Sequence, residues 1–332
     1  MELIFRSVAE AEPGEKWRAS FERHWPSYRR WFLSEGAQAV PHYPVCLAKL
    51  RHYMPELVFT YERLCALAGG DDIAARFLSL YRPPAYLTGC SQIAWTRGGR
   101  PMLARNYDYS PSLCEGQLLL SAWHGRRVMA MTDCLWGVLD GVNESGLAVS
   151  LTFGGRPVVG DGFGVPLLLR YVLEFCERTR DAVRHLTRIP IHMAYNVTVL
   201  DRSGDFATLM LAPDREPAVT RLPIAANHQM RVEWADYAKA TATLERERFL
   251  FQRLKEPGMD EARLLADFLE PPLYTAAFER KFGTLYTAAY WPAEGAMSLL
   301  WRGDRLDQSI SRFTEGERVK DYAAQASRLA VP

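Results

Sequence analysis

The sequence predicts an α+β protein in which antiparallel sheets carry helices on their outer faces. Three observations lead there. Up to about residue 83 the apolar residues recur at helical spacing. From Ala85 onward short apolar runs come in pairs joined by tight turns, the pattern of consecutive hairpins. The order after the boundary is strands, helices, strands, helices, strands, which stacks helices on sheets.

Composition sets the outer limits. The chain has 332 residues, 48% hydrophobic and 24% charged, which excludes a disordered or fibrous protein. Forty Lys and Arg against 39 Asp and Glu leave a net charge of +1, so nothing pulls the chain toward nucleic acid or an anionic membrane. No uncharged apolar run approaches the roughly 20 residues of a membrane span. The start, Met1-Glu2-Leu3-Ile4-Phe5-Arg6, lacks a basic-then-apolar signal, and the expectation is a soluble, cytosolic protein. The six cysteines form no C-x-x-C pair and read as reduced thiols. The seven histidines show neither H-x3-H nor H-E-x-x-H spacing, so no metal site is expected.

The elements follow in order. Trp17, Phe21, Trp25, Tyr28 and Phe32 share one helix face, with Pro26 as a kink or break. Leu57, Tyr61, Leu64 and Leu67 form a second stripe after Pro55, ended by Gly69-Gly70. Asp71 or Asp72 caps a third helix that stops at Pro83-Pro84. Residues 86–96 and 101–107 are predicted strands around the turn Arg97-Gly98-Gly99-Arg100. Further strands are expected at 117–123 and 127–132, then at 135–140 and 146–153 around Gly141-Val142-Asn143-Glu144-Ser145. Residues 166–178 form an apolar helix, continued from Asp181 to Leu186. Strands near 192–201 and 206–211 flank the Arg202-Ser203-Gly204-Asp205 turn. Helices near 237–254 and 260–269 precede a final strand pair at 284–291 and 296–301.

The segment Thr88-Gly89-Cys90-Ser91-Gln92 is the most informative for chemistry. A cysteine at a strand start follows a glycine whose carbonyl a thiol can approach closely. Attack there gives a thioester, and hydrolysis of that thioester frees a new N-terminus at Cys90. The product is a nucleophile with its own base, because an α-amine has a pKa near 7.7–8.0. On the partner strand, Arg105 and Tyr107 share one face, Asn106 and Asp108 the other. A cation beside the thiol favours thiolate, and a carboxylate beside the new amine orients it. Taken singly, each feature also fits a buried structural cysteine or a salt-bridged sheet edge.

Together these residues resemble the N-terminal-nucleophile (Ntn) hydrolase superfamily, in the branch of acyl-coenzyme A:6-aminopenicillanic-acid acyltransferase and its peptidase-like relatives. Choloylglycine hydrolases and acid ceramidase are more distant kin. The resemblance spans about residues 85–315. It is carried by Gly89-Cys90-Ser91, by Ala104-Arg105-Asn106-Tyr107-Asp108-Tyr109 and by Gly141 through Ser150. Tyr195-Asn196-Val197 with Asp201, Ala226-Asn227-His228, Thr243-Leu244-Glu245-Arg246 and Thr284-Leu285-Tyr286-Thr287-Ala288 complete it.

The resemblance implies a four-layer αββα sandwich over residues 90–332, preceded by a helical pro-segment or small fragment over 1–89. It implies an amide hydrolase or acyltransferase acting through a Cys90 thioester after self-cleavage between Gly89 and Cys90. Arg105 matches the arginine beside the thiol, and Asp108 the carboxylate that binds the freed amine. Asn227 matches an oxyanion-holding asparagine. Arg246 matches a later arginine of the polar network, with Arg248 as the alternative in helix register. Where relatives carry another oxyanion asparagine this chain has Thr152, so a backbone N–H is an alternative donor. The implied partners are a small amide or acyl substrate and the processed fragments themselves. No resident cofactor is implied, with acyl-coenzyme A as co-substrate if transfer is the outcome. Two rival readings stay open: an unprocessed cysteine hydrolase with His228 as base, and an inactive binding protein on the same fold.

Overall fold

A computed structural model of the protein describes residues 2–322. The N-terminal part contains β1 (Glu2–Glu10), α1 (Glu15–Phe32), α2 (Tyr43–Tyr53), α3 (Val58–Leu67) and α4 (Asp72–Leu78). There follow β2 (Gly89–Trp95), β3 (Met102–Tyr109), β4 (Gln117–Ser121), β5 (Val128–Asp133), β6 (Gly137–Asn143) and β7 (Leu147–Phe153). Next come α5 (Val165–Phe175), α6 (Thr179–Leu186), β8 (Tyr195–Asp201), β9 (Phe206–Ala212), β10 (Arg215–Thr220) and β11 (Ile224–Ala225). The last elements are α7 (Ala235–Ala240), α8 (Thr243–Lys255), α9 (Glu261–Asp267), β12 (Gly283–Trp291), β13 (Ala296–Trp301), β14 (Asp304–Ser309) and β15 (Gly316–Asp321).

The strands form two sheets. The larger runs β10-β9-β8-β7-β6-β5-β4-β1-β15, and the smaller β11-β2-β3-β12-β13-β14. Pairing is antiparallel except between β1 and β4. Helices α5 and α6 cover the outer face of the larger sheet, while β2, β3 and β12 face β6, β7 and β8 across the core. Helix α8 packs on β2 and β11 from the other side, and α9 adds Leu264 and Leu265 to the apolar cluster on that face. The layers are therefore helix, sheet, sheet, helix, as the resemblance implied.

Side-chain alternation in β2 and β3 follows from the pleat. Ile93, Trp95, Met102 and Ala104 belong to the cluster under α8 and α9. Cys90, Leu103 and Tyr107 join the core between the sheets. The predicted hairpin is present, its turn made by Gly98 and Gly99 at φ +72° and +73°, which only glycine adopts without strain.

The N-terminal segment departs from the expectation of a purely helical unit. The aromatic stripe of α1 forms as predicted, with Trp17 stacked on Phe21 and Phe21 on Trp25, and the helix runs through Pro26 without breaking. Glu2–Glu10, however, is a strand inside the larger sheet, paired with β15 on one side and β4 on the other. Its inward residues Leu3, Phe5 and Ser7 alternate with exposed or half-buried ones. The segment is further tied down by Trp17 Nε1 donating to the Leu135 carbonyl and Trp136 Nε1 to that of Leu78. The expected helix over 237–254 is two helices, because Ala242 takes φ +48° between them. Strands β10, β11, β14 and β15 and helix α2 are additions to the predicted set. The span assigned to residues 90–332 ends in residues outside the described ones.

Candidate active site

The β2–β3 register places Cys90 opposite Tyr107 and Gly89 opposite Asp108. Cys90 is fully buried and held at three atoms. Arg105 Nη2 lies 3.2 Å from its Sγ, its backbone N–H donates to Asn227 Oδ1 at 2.9 Å, and its carbonyl accepts from Arg246 Nη1 at 2.7 Å. Thr88 Oγ1 is 3.9 Å from the sulfur. Burial pushes the Cys90 thiol up, and the Arg105 guanidinium pulls it back toward thiolate.

Two polar clusters flank this residue, one on each face of the smaller sheet. On the inner face, fully buried Arg105 bonds Asp140 on β6, whose carboxylate also accepts from Tyr286 Oη at 2.9 Å and Tyr290 Oη at 2.5 Å. The guanidinium also lies over the Tyr107 ring at 4.7 Å. Asp140 was not among the predicted residues, although it directly precedes the Gly141–Ser150 motif. On the outer face, Arg246 Nη1 reaches Ser91 Oγ at 2.9 Å and Asp108 Oδ2 at 3.2 Å, while its Nη2 donates to Asn227 Oδ1 at 2.6 Å. Thr284 Oγ1 donates to Asp108 Oδ1 at 2.7 Å. Burial pushes the Asp108 carboxyl up, opposed by Arg246 and then by the Thr284 hydroxyl.

Asn227 sits where both donors need an acceptor, so its oxygen faces Cys90 N and Arg246. Its Nδ2 therefore points the other way, to the carbonyls of Phe153 at 3.1 Å and Thr88 at 3.4 Å. Tyr237 Oη donates to the same Thr88 carbonyl at 2.5 Å. Tyr237 carried no motif signal, and only folding of α7 against Phe153 brings it here. Gly89 is closely packed: a Cβ there would lie 2.7 Å from Phe282 Cζ and 3.0 Å from Asp108 Cβ, so a side chain would make the Phe282 ring shift.

The remaining candidates fall outside this contact set. Thr152 is buried on β7, and its one hydroxyl proton goes to the Ala226 carbonyl at 2.8 Å while its oxygen accepts from Asn196. His228 presents Nδ1 to Thr243 Oγ1 at 3.0 Å and Nε2 to Glu247 at 3.4 Å, away from Cys90. Arg246 is buried within the network and lies on α8 as expected; Arg248, two residues on, is exposed. Among the described residues no group of three or more His, Cys, Asp or Glu side chains is placed to hold a metal ion. No described helix is long and apolar enough to cross a membrane.

Several known proteins are similar to this chain. An acid amidase ortholog from Caenorhabditis elegans that hydrolyses N-acylethanolamines is 16% identical over 70% of this chain and 100% of its own, with a TM-score of 0.48. Penicillin V acylase from Agrobacterium tumefaciens is 14% identical over 69% of this chain and 90% of its own, with a TM-score of 0.45. A mutant of the conjugated bile acid hydrolase from Clostridium perfringens is 12% identical over 70% of this chain and 97% of its own, with a TM-score of 0.40. No curated protein matches the sequence. The family model described as acyl-coenzyme A:6-aminopenicillanic acid acyl-transferase matches residues 95–306, well over half of the chain, and the protein belongs to that family.

Proposed function

We propose that the protein is an amide hydrolase or acyltransferase working through a thioester on Cys90, after cutting its own chain between Gly89 and Cys90. The observation that carries this reading is the hold on Cys90 at sulfur, nitrogen and carbonyl by three buried side chains. A structural cysteine needs a snug apolar environment and nothing more. A nucleophile that must also become a base needs its backbone nitrogen positioned, which Asn227 Oδ1 does.

In the first event the Cys90 sulfur attacks the Gly89 carbonyl carbon. The C–N bond breaks, and the thiol proton ends on the departing nitrogen, now the α-amine of Cys90. Water then cleaves the thioester, leaving a Gly89 carboxylate and a free thiol. In turnover the same amine takes the thiol proton, sulfur attacks the substrate amide, and the leaving amine receives the proton. Water completes hydrolysis; a second amine completes transfer, with acyl-coenzyme A as an alternative acyl donor.

The oxyanion needs donors aimed where charge develops. Asn227 Nδ2 and Tyr237 Oη converge on the Thr88 carbonyl. Once the fragment ending at Gly89 moves aside, both donors are free for a substrate oxygen. Tyr237 thus takes the place proposed for Thr152, whose proton is already committed.

The test is intact mass and N-terminal sequencing of the wild type and Cys90→Ala, with turnover of N-acyl amino acids, peptides and acyl thioesters followed by mass detection. The wild type should yield two fragments, the larger starting at Cys90, and Cys90→Ala should stay whole and inactive. Full activity in Cys90→Ala refutes the mechanism. A full-length, fully active wild type refutes the self-cleavage part, and a wild type inert to every acyl probe favours a binding protein.

A further inference from the structure

A cavity of about 270 Å³ opens on the outer face of the smaller sheet, beside the bond proposed to be cut. Its lining includes Gly89, Asp108, Thr241, Arg246, Thr275 and Arg280. Arg280 is exposed, and among the described residues its guanidinium has no hydrogen-bond or ion-pair partner. Arg246 is 2% exposed, yet its Nε–H is left without an acceptor. The single carboxylate in the lining, Asp108, is already engaged by Arg246 and Thr284. Two guanidinium groups against one occupied carboxylate leave the cavity positive.

We propose that this cavity is a carboxylate-binding subsite. A carboxylate fits because a planar anion can take parallel N–H donors from a guanidinium fork such as that of Arg280, with Thr275 also in the lining. Two sources have this chemistry. One is the new terminus of Gly89, which rests on the self-cleavage reading; Gly89 already lines the cavity, so its carboxylate forms at the cavity wall. Docked there, the end of the small fragment is held clear of the thiol, and the Thr88 carbonyl is drawn off the donors that substrate must use. The other source is the carboxylate of a diffusible ligand, such as an amine bearing an acid group.

Calorimetric titration of the full-length Cys90→Ala chain with N-acetylglycine and its neutral analogue N-acetylglycinamide tests the subsite without requiring turnover. The acid should bind at least ten times more tightly than the amide, and Arg280→Gln should abolish that preference. Equal binding of the two probes, or a preference untouched in Arg280→Gln, overturns the proposal. Processed wild type then separates the sources. Binding of the acid weakened tenfold or more relative to the uncut chain places the Gly89 carboxylate in the cavity, whereas undiminished binding assigns the subsite to a diffusible carboxylate. If mass analysis finds the wild type uncut, self-cleavage fails while the first titration still decides the subsite.

Discussion

Removing the Arg105 charge should switch off the thiolate without touching the rest of the Cys90 hold. Unit charges 3.2 Å apart attract by about 5 kcal/mol at an effective dielectric near 20. Losing only half of that raises the thiol pKa by roughly two units, so the thiolate fraction at neutral pH falls about 100-fold. Burial already pushes this thiol up, and among the described residues no other cation touches the sulfur to compensate. The perturbation is Arg105→Met. The assay is thiolate absorbance near 240 nm across pH, taken as the difference between each protein and its Cys90→Ala counterpart so that the other five cysteines cancel. The variant's midpoint should lie about two units above the wild type's, with Arg105→Lys between them. Stability should also fall, by about 3–5 kcal/mol in denaturant, because Asp140 is left buried with two tyrosine hydroxyls and no cation. Coincident titration curves for wild type and Arg105→Met would refute the assigned role, whatever happens to stability.

Asp108→Asn should fold normally by circular dichroism but process or turn over slower by about 100-fold or more, since the carboxylate anchors Arg246 against the Cys90 backbone; a wild-type rate rejects that role. Tyr237→Phe should lower kcat on the order of 100-fold with KM nearly unchanged, the signature of a donor lost from the transition state; an unchanged kcat removes Tyr237 from the mechanism. A third test concerns Asp133, whose carboxyl burial and the neighbouring Glu115 push up to about 7. Folding therefore takes up a proton between pH 4 and 7, so this group makes the protein less stable as pH rises through that window, by roughly 2–4 kcal/mol in total. Urea midpoints of Asp133→Asn should show that slope removed, and an identical slope in both proteins contradicts the assignment.

Some of the site was readable because it is local. Gly89 and Cys90 adjoin in sequence, and a four-residue turn brings Arg105 and Asp108 back beside them, so period-two alternation alone separates Arg105 on the thiol face from Asp108 on the other. The same locality explains the hairpins from β4 to β9. Of the missed strands, β1, β11 and β15 lack it, while β10 and β14 are local hairpin partners of β9 and β13. β1 pairs with β15, more than 300 residues away, and β14 and β15 are short and mostly polar, like edge strands that face solvent. The break at Ala242 is a single left-handed residue in a run that reads as one helix.

The sequence by itself determined the hairpin that sets Gly89 and Cys90 beside Arg105 and Asp108, and antiparallel sheets carrying helices, since these follow from neighbours in the chain and its hydrophobic period; Cys90 as the candidate nucleophile and the four-layer order came from the family resemblance. Only the tertiary structure decided that Asn227 turns its oxygen to Cys90 N, that Tyr237 reaches the Thr88 carbonyl, that Asp140 backs Arg105, and that the N-terminal strand lies within the larger sheet. These depend on where separate elements come to rest. Their side chains meet because buried donors and acceptors must find partners from whatever part of the chain the packing brings near, and sequence spacing carries no record of that distance.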